Sequence, residues 1–439
     1  MTGLRKAALF TAAWAAGAGL SVPAAAPPQL RYVVIVTRHG VRSPTGNAAR
    51  LNQYSAQPWP EWGVTPGYLT PHGRALMKIM GAYYREWLAS AGLLVSQGCA
   101  DQERIYIHAD TDQRTLETGH AVAESLLPGC PPAVHSEPEG KCDALFNPIE
   151  AGVARPDWEV AAQAVRERLG EHPERFLELH RGAFEKLQFV LAGPAGGAEE
   201  PLAFPKEITV TVTGRSVRLN EELSVAATLG ENLLLEYTNG MQGQELGWGR
   251  LDAETLRRVL ELHVAQSDLL RRTPYVARAR GSNLLDHVLR SMEQAAAGQA
   301  VAGALGGPGV KVLIVVGHDT NVANLGGMLG LAWRLPGDQP NDTPPGGALV
   351  FSLWRQADTG RDVVRTEYVA QTLQQMRAAT PLSLAAPPAR EALTVAGCEA
   401  ASAGAGCAWG TFVKALQAAI DERFVALPGG DAARQPAAR

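Results

Sequence analysis

Three apolar, β-branched runs, each closing on a charged turn, constrain this chain more than any other feature. Arg31–Val36 runs into Thr37-Arg38-His39-Gly40, Arg104–His108 into Asp110-Thr111-Asp112-Gln113-Arg114, and Lys311–Val316 into Gly317-His318-Asp319-Thr320. Continuous apolar runs without alternation predict parallel strands buried on both faces. Helical periodicity follows over residues 71–88, 113–127 and 321–329. This alternation predicts an α/β fold with a mostly parallel central sheet flanked by helices. In such sheets ligands gather at the carboxyl ends of the strands, so the three charged turns predict one shared cleft.

The character of the chain changes between about residues 153 and 266. Helical periods recur over Trp158–Leu169, Pro173–Leu191, Asn220–Thr238 and Ala253–Leu270, interrupted by a loop at 193–201 and a short extended piece at 207–217. The expected organisation is an α/β catalytic domain from residues 27–152 together with 270–427 and a smaller inserted helical domain at 153–269. Residues 295–309 read as a Gly/Ala-rich loop and 428–439 as a flexible tail.

Residues 1–26 read as an export signal: Arg5 and Lys6, an apolar stretch from Ala7 to Leu20, then small residues up to Ala26. An uncleaved anchor helix is the alternative, weakened by the shortness and Gly/Ala content of that stretch. No later segment is long and apolar enough to span a bilayer, so a soluble periplasmic or secreted protein is expected. The 439 residues carry a formal net charge of −4. Loss of Arg5 and Lys6 would make it −6, which disfavours a nucleic-acid partner. Cys99/Cys130 and Cys398/Cys407 read as two disulfides in an oxidising compartment, with free thiols throughout as the alternative that spacing leaves open. Cys142 is left over, and no cysteine or histidine spacing suits structural zinc.

The chemistry concentrates in Arg38-His39-Gly40-Val41-Arg42-Ser43-Pro44-Thr45, which sets an imidazole between two guanidinium groups at a strand end. Arginine forks match phosphate oxygens bidentately, and a neutral histidine can attack phosphorus to give a phosphohistidine. In the turn at 317–321, His318 can steady charge on a phosphoryl oxygen and Asp319, if protonated, can protonate a leaving oxygen. Helix capping by Asp319 or Thr320 is the plain alternative. Arg114 offers a third guanidinium, or a surface ion pair. Other histidines, His108 and His263 among them, read as structural.

On these two motifs the chain resembles the histidine acid phosphatase family, and within it the bacterial periplasmic phytases. The likeness extends over roughly residues 30–420, through Leu145–Pro148, Gly247–Arg250, Ala323–Gly327, Thr343–Gly347, Gln371–Arg377 and Thr380–Leu384. The resemblance implies His39 as nucleophile, Asp319 as proton donor, and Arg38, Arg42, Arg114 and His318 as the phosphate clamp. Thr45, Met241 and Glu245 match substrate-facing positions, and no metal or other cofactor is needed. It also implies pairing of Cys99 with Cys130 and of Cys398 with Cys407, whereas other disulfides usual in the helical domain are missing. Where related phytases often carry a lysine after the first motif, a contact for distal phosphates, this chain has Gly46. Gly40 and Thr320 lean towards phytases rather than the sister glucose-1-phosphatases. The expected activity is phosphohistidine-dependent hydrolysis of myo-inositol hexakisphosphate by a monomer at acidic pH. The alternatives are a glucose-1-phosphatase or general acid phosphatase and, more remotely, an inactive phosphoester-binding protein.

Overall fold

The computed structural model describes residues 27–194, 196–399 and 406–426; the export signal and the tail at 428–439 lie outside them. The strands are β1 (Gln29–Arg38), β2 (Ile105–Ala109), β3 (Val134–His135), β4 (Thr211–Thr213), β5 (Ser216–Arg218), β6 (Val312–Gly317), β7 (Ala348–Arg355), β8 (Asp362–Ala370), β9 (Ala389–Leu393) and β10 (Cys407–Ala408). The helices are α1 (Ala48–Asn52), α2 (Pro71–Ser90), α3 (Gln113–Leu126), α4 (Trp158–Leu169), α5 (Glu174–Ala192), α6 (Glu221–Thr238), α7 (Ala253–Arg271), α8 (Pro274–Ala297), α9 (Asp319–Met328), α10 (Leu373–Ala378) and α11 (Trp409–Ala419).

The central sheet runs β10-β8-β7-β1-β6-β2-β3, and β9 also pairs with β8. The three runs legible in the sequence are its parallel heart: β1 pairs with β6 and β6 with β2, both in parallel. Beyond β1 the sheet continues through the antiparallel strands β7, β8 and β9. Register brings the strand ends together, because Arg38 lies opposite Gly317 and Ala109 opposite Val316. The backbone ties the turns themselves, His39 N–H donating to Gly317 O at 2.9 Å and Asp110 N–H to Val316 O at 3.0 Å.

Both faces of the sheet are covered, which is why the strands carry apolar residues without alternation. On one face Val33, Ile35, Ile107 and Ile314 pack against Met77, Met80 and Tyr84 of α2 and Val122 and Leu126 of α3. On the other, Val34, Val36, Leu313 and Val315 meet Leu285 and Val288 of α8, Val322 of α9 and Phe412 of α11. Each such side chain contributes about 1.5–3 kcal/mol relative to exposure. A separate core forms where Phe184 and Leu187 of α5 meet Leu229 and Leu233 of α6 and Leu256 and Leu260 of α7. The extended piece around 207–217 becomes the β4–β5 hairpin. The stretch read as a loop from 295 begins later: α8 continues through Ala297 and stops at Gly298, whose φ of +71° is the usual left-handed helix end.

Both expected disulfides are present, Cys99–Cys130 and Cys398–Cys407, while Cys142 is unpaired and exposed. No helix among the described residues is long and apolar enough to cross a membrane.

Candidate active site

His39 follows directly on β1 and is almost fully buried. Its Nδ1 lies 2.8 Å from the carbonyl oxygen of Gly40. A carbonyl can only accept, so Nδ1 carries the hydrogen and Nε2 keeps a free lone pair. Burial, with Arg38, Arg42, His318 and Arg114 close by, pushes the imidazole well below its ordinary pKa. The ring is therefore neutral in weak acid and its unshared pair is available. Gly40 is required by a close approach: a Cβ there would lie 2.8 Å from Met77 Cγ and 3.1 Å from the carbonyl oxygen of Gly73 on α2.

The guanidinium groups around His39 are anchored at their ends. Arg38 donates to Thr343 O at 2.6 Å and to Glu231 Oε1 at 2.5 Å. Arg42 donates to Ser43 O at 3.0 Å and to the same Glu231 oxygen at 3.3 Å. Arg114 is held by Asp112 at 2.6 Å. In each of the three a buried Nε–H meets no acceptor among the described residues. Unmet buried donors cost free energy, and three arginines close to one imidazole can offer such donors to a tetrahedral anion. Thr45 is exposed beside Arg114. A Cβ on Gly67 would lie 3.2 Å from the Thr45 methyl carbon and 3.8 Å from Arg114 Nη1, and φ of +80° at Gly67 permits the turn.

His318 precedes α9, and Asn321 Oδ1 accepts from its backbone N–H at 2.9 Å. Its Nε2 meets Asp110 Oδ2 at 2.7 Å, and its Nδ1 lies 3.4 Å from Arg114 Nη2. A guanidinium N–H can only donate, so Nδ1 accepts from Arg114 and the ring's hydrogen lies on Nε2, donated to Asp110. Burial alone would raise the Asp110 carboxyl, but His318 and the Thr111 and Asn147 donors hold it below its usual value.

Asp319 is the first residue of α9 rather than its cap. Its Oδ2 accepts from Arg271 Nη1 at 2.5 Å and its Oδ1 from Thr320 N–H at 2.8 Å. Burial would raise this carboxyl, yet Arg271, Arg38 and His263 draw it well below the ordinary carboxylate range. These cations favour the carboxylate form of Asp319. Glu231 of α6 behaves alike: burial works against its charge, but Arg42, Arg38 and His263 hold it at about 2.

Of the residues matched to substrate-facing positions, Met241 is half-buried against the α5–α7 core, with its carbonyl accepting from Arg377 at 2.8 Å. Glu245 lies exposed in a short turn with no side-chain partner among the described residues. The acid that touches Arg38 and Arg42 is Glu231. Sequence reading gave no site role to Glu231, Asp110 or Arg271 and took His263 as structural. Asp110 stood in plain view in the second charged turn, and Glu231 and Glu236 are two acids inside the apolar run of α6. Two clusters have the ligand types for a cation, Asp110/Asp112/His318 and Glu231/His263/Asp319, with ligand atoms within 4.8 Å. In both, arginine already occupies carboxylate oxygens, so a metal would have to displace Arg114, or Arg38, Arg42 and Arg271.

A neutral histidine at a strand end, ringed by arginines with unmet donors, is the apparatus of a phosphatase that works through histidine. A family model for the histidine phosphatase superfamily (branch 2) matches residues 29–169 and 230–369. Phytase AppA of Escherichia coli (strain K12) is 39% identical over 409 residues, covering 89% of this chain and 92% of that protein. Glucose-1-phosphatase of Providencia rettgeri is 29% identical over 401 residues, covering 90% and 92%. The structure of Hafnia alvei phytase in complex with tartrate is similar at a TM-score of 0.84 and 34% identity, over 92% of this chain and 100% of that one. The chain belongs to branch 2 of the histidine phosphatase superfamily and is a histidine acid phosphatase, an enzyme acting on small phosphomonoesters.

Proposed function

We propose that this enzyme is an exported phytase that removes phosphate from myo-inositol hexakisphosphate. The observation that carries the reading is the His39 cage: a buried neutral imidazole with its hydrogen fixed on Nδ1 beside three guanidinium groups with unmet donors. Arg38, Arg42, Arg114 and His318 receive the phosphoryl oxygens. His39 Nε2 attacks phosphorus as the ester P–O bond breaks, and Asp319 gives a proton to the departing oxygen. Water then attacks the phosphohistidine and releases phosphate, its proton passing to the Asp319 carboxylate while the P–N bond opens. The guanidinium groups stabilise charge developing on the equatorial oxygens of both transition states.

Support for a polyphosphorylated substrate comes from a neighbouring cavity of about 480 Å³ lined by Arg50, Arg218, Thr211 and Gly46. Gly46 brings no cation of its own, which keeps a glucose-1-phosphatase or general acid phosphatase as the second reading; Arg50, four residues on, supplies one to the same cavity. We place the cleft between an α/β unit, residues 27–152 with 270–427, and a helical insert, 153–269, in a monomer. Export is supported by the two disulfides, which suit an oxidising compartment.

The test is turnover of phytate, glucose 1-phosphate and p-nitrophenyl phosphate by the purified protein across an acidic to alkaline range. A phytate preference in kcat/KM with an acidic optimum is expected, because Asp319 must gain a proton before it can give one. Preference for glucose 1-phosphate would select the second reading, and activity climbing steadily into alkali would reject the acid role of Asp319.

A further inference from the structure

The proton donor and its ion pair pose a problem. Asp319 must be protonated to assist the leaving group, yet Arg271 Nη1 sits 2.5 Å from Oδ2 and favours the carboxylate. The start of α9 adds the positive end of the helix dipole. The charged and titratable groups facing Asp319 are Arg38 and Arg42 at the end of β1, Glu231 of α6, and His263 and Arg271 of α7. Of these cations, Arg38 and Arg42 share Glu231, whereas Arg271 holds Asp319.

Arg271 is also differently placed. It is the last residue of α7, about a quarter exposed, and lines a cavity of about 250 Å³ with Arg218, Ser224, Thr228 and Gln266. Arg218, Ser224 and Thr228 line the larger cavity with Arg50 as well, so the two spaces adjoin. Beside the catalytic cage there is therefore a space whose walls carry guanidinium and hydroxyl groups, together with the carboxylates of Glu231 and Glu221, with Arg271 between that space and Asp319.

We propose that Arg271 is a positioning residue that acts as a substrate-responsive latch. It pairs with Asp319 while the adjoining cavity is empty, and transfers to a second anionic group of a polyphosphorylated substrate, leaving Asp319 to take up a proton. The inference rests on Asp319 being the proton donor. The proton comes from the acidic medium or from the substrate's own monoanionic phosphate, and is then passed to the leaving oxygen. The bound phosphate dianion in the cage works in the same direction, since a nearby negative charge favours the neutral carboxyl. A substrate with one phosphate fills the cage but leaves Arg271 where it is. The latch would thus couple proton donation to the presence of a second phosphate, and so favour phytate over simple esters in kcat as well as in binding.

The experiment compares wild type, Arg271→Gln and Arg271→Lys on phytate and on a one-phosphate alkyl ester such as glycerol 2-phosphate, with full pH profiles of kcat. For Arg271→Gln the alkaline limb on glycerol 2-phosphate is expected to move up by about one pH unit, with kcat near neutrality rising. KM for phytate is expected to rise about tenfold, as for loss of one exposed charged contact of about 1.4 kcal/mol. Arg271→Lys, which keeps the charge, should restore the wild-type limb and most of the phytate affinity. Equal loss of kcat on both substrates with an unmoved alkaline limb would overturn the latch and leave Arg271 a structural residue. Asp319→Asn separates the two levels: retention of wild-type kcat on glycerol 2-phosphate would remove the donor itself, whereas a dead Asp319→Asn with an unresponsive Arg271→Gln removes only the latch.

Discussion

At the scale of single residues, the site works because each reactive side chain is fixed by one that does no chemistry. Gly40 sets the hydrogen on His39, Asp110 sets it on His318, and Glu231 spans Arg38 and Arg42. Burial raises the cost of any lapse, since a charged group that loses its partner in a low-dielectric site is not rescued by water. Asp110→Asn keeps the shape but removes the carboxylate that orients the His318 ring through Nε2. Its expected effect is a fall in kcat of about tenfold to a hundredfold with little change in KM, because the placing of His318 matters most as charge builds on the phosphoryl oxygen. Steady-state kinetics at the pH optimum check this; an equal loss in kcat and in phosphate affinity would assign Asp110 to ground-state binding instead.

At the scale of elements, legibility followed burial pattern. The parallel strands β1, β2 and β6 are buried on both faces and end in charged turns, so their apolar runs and their shared cleft could be read directly. Helices with one apolar face were equally plain: the period over Trp158–Leu169 coincides with α4, and Ala253–Leu270 falls one residue short of α7. What escaped was hidden by the absence of contrast. Helix α8 is buried along most of its length, with only a narrow stripe of partly exposed polar residues such as Arg278, Asp286, Arg290 and Glu293 to set a period. The strands β7 and β8 end in none of the three charged turns, and the pairing of β7 with β1 joins residues far apart in sequence, with β8 added on β7. At the site, spacing revealed the residues that share a turn, Arg38 with His39 and His318 with Asp319. It could not reveal Glu231 or Arg271, because these reach the cage from the middle of α6 and the end of α7, 193 residues along the chain from Arg38 and 48 from Asp319 respectively.

At the scale of the whole molecule, buried acids tune the fold to low pH. Burial raises Glu236 in α6 to about 8, and burial together with Asp342 raises Asp338 to about 8. Each is protonated when folded and ionised when unfolded between its ordinary value, near 4, and about 8. The stability each contributes is complete below that window and is lost as pH rises through it, by about 1.4 kcal/mol per pH unit per group. His39 opposes this only below its ordinary value of 6.5, where the unfolded chain takes up a proton that the buried ring refuses. Glu231 and Asp319, both held low, withdraw stability only in stronger acid. Thermal stability is therefore expected to rise as pH falls from about 8 to about 5, and Glu236→Gln should flatten the slope by roughly one proton. Melting curves across that range check it; a midpoint that climbs with pH would contradict the assignment.

All of this organisation serves one event, the transfer of a phosphoryl group to His39. The most direct test is to quench turnover of a substrate carrying radiolabelled phosphate in alkali and to map the label by proteolysis. The account predicts an alkali-stable, acid-labile label on the peptide containing His39, abolished in His39→Ala. Turnover that proceeds with no label on that peptide would contradict it.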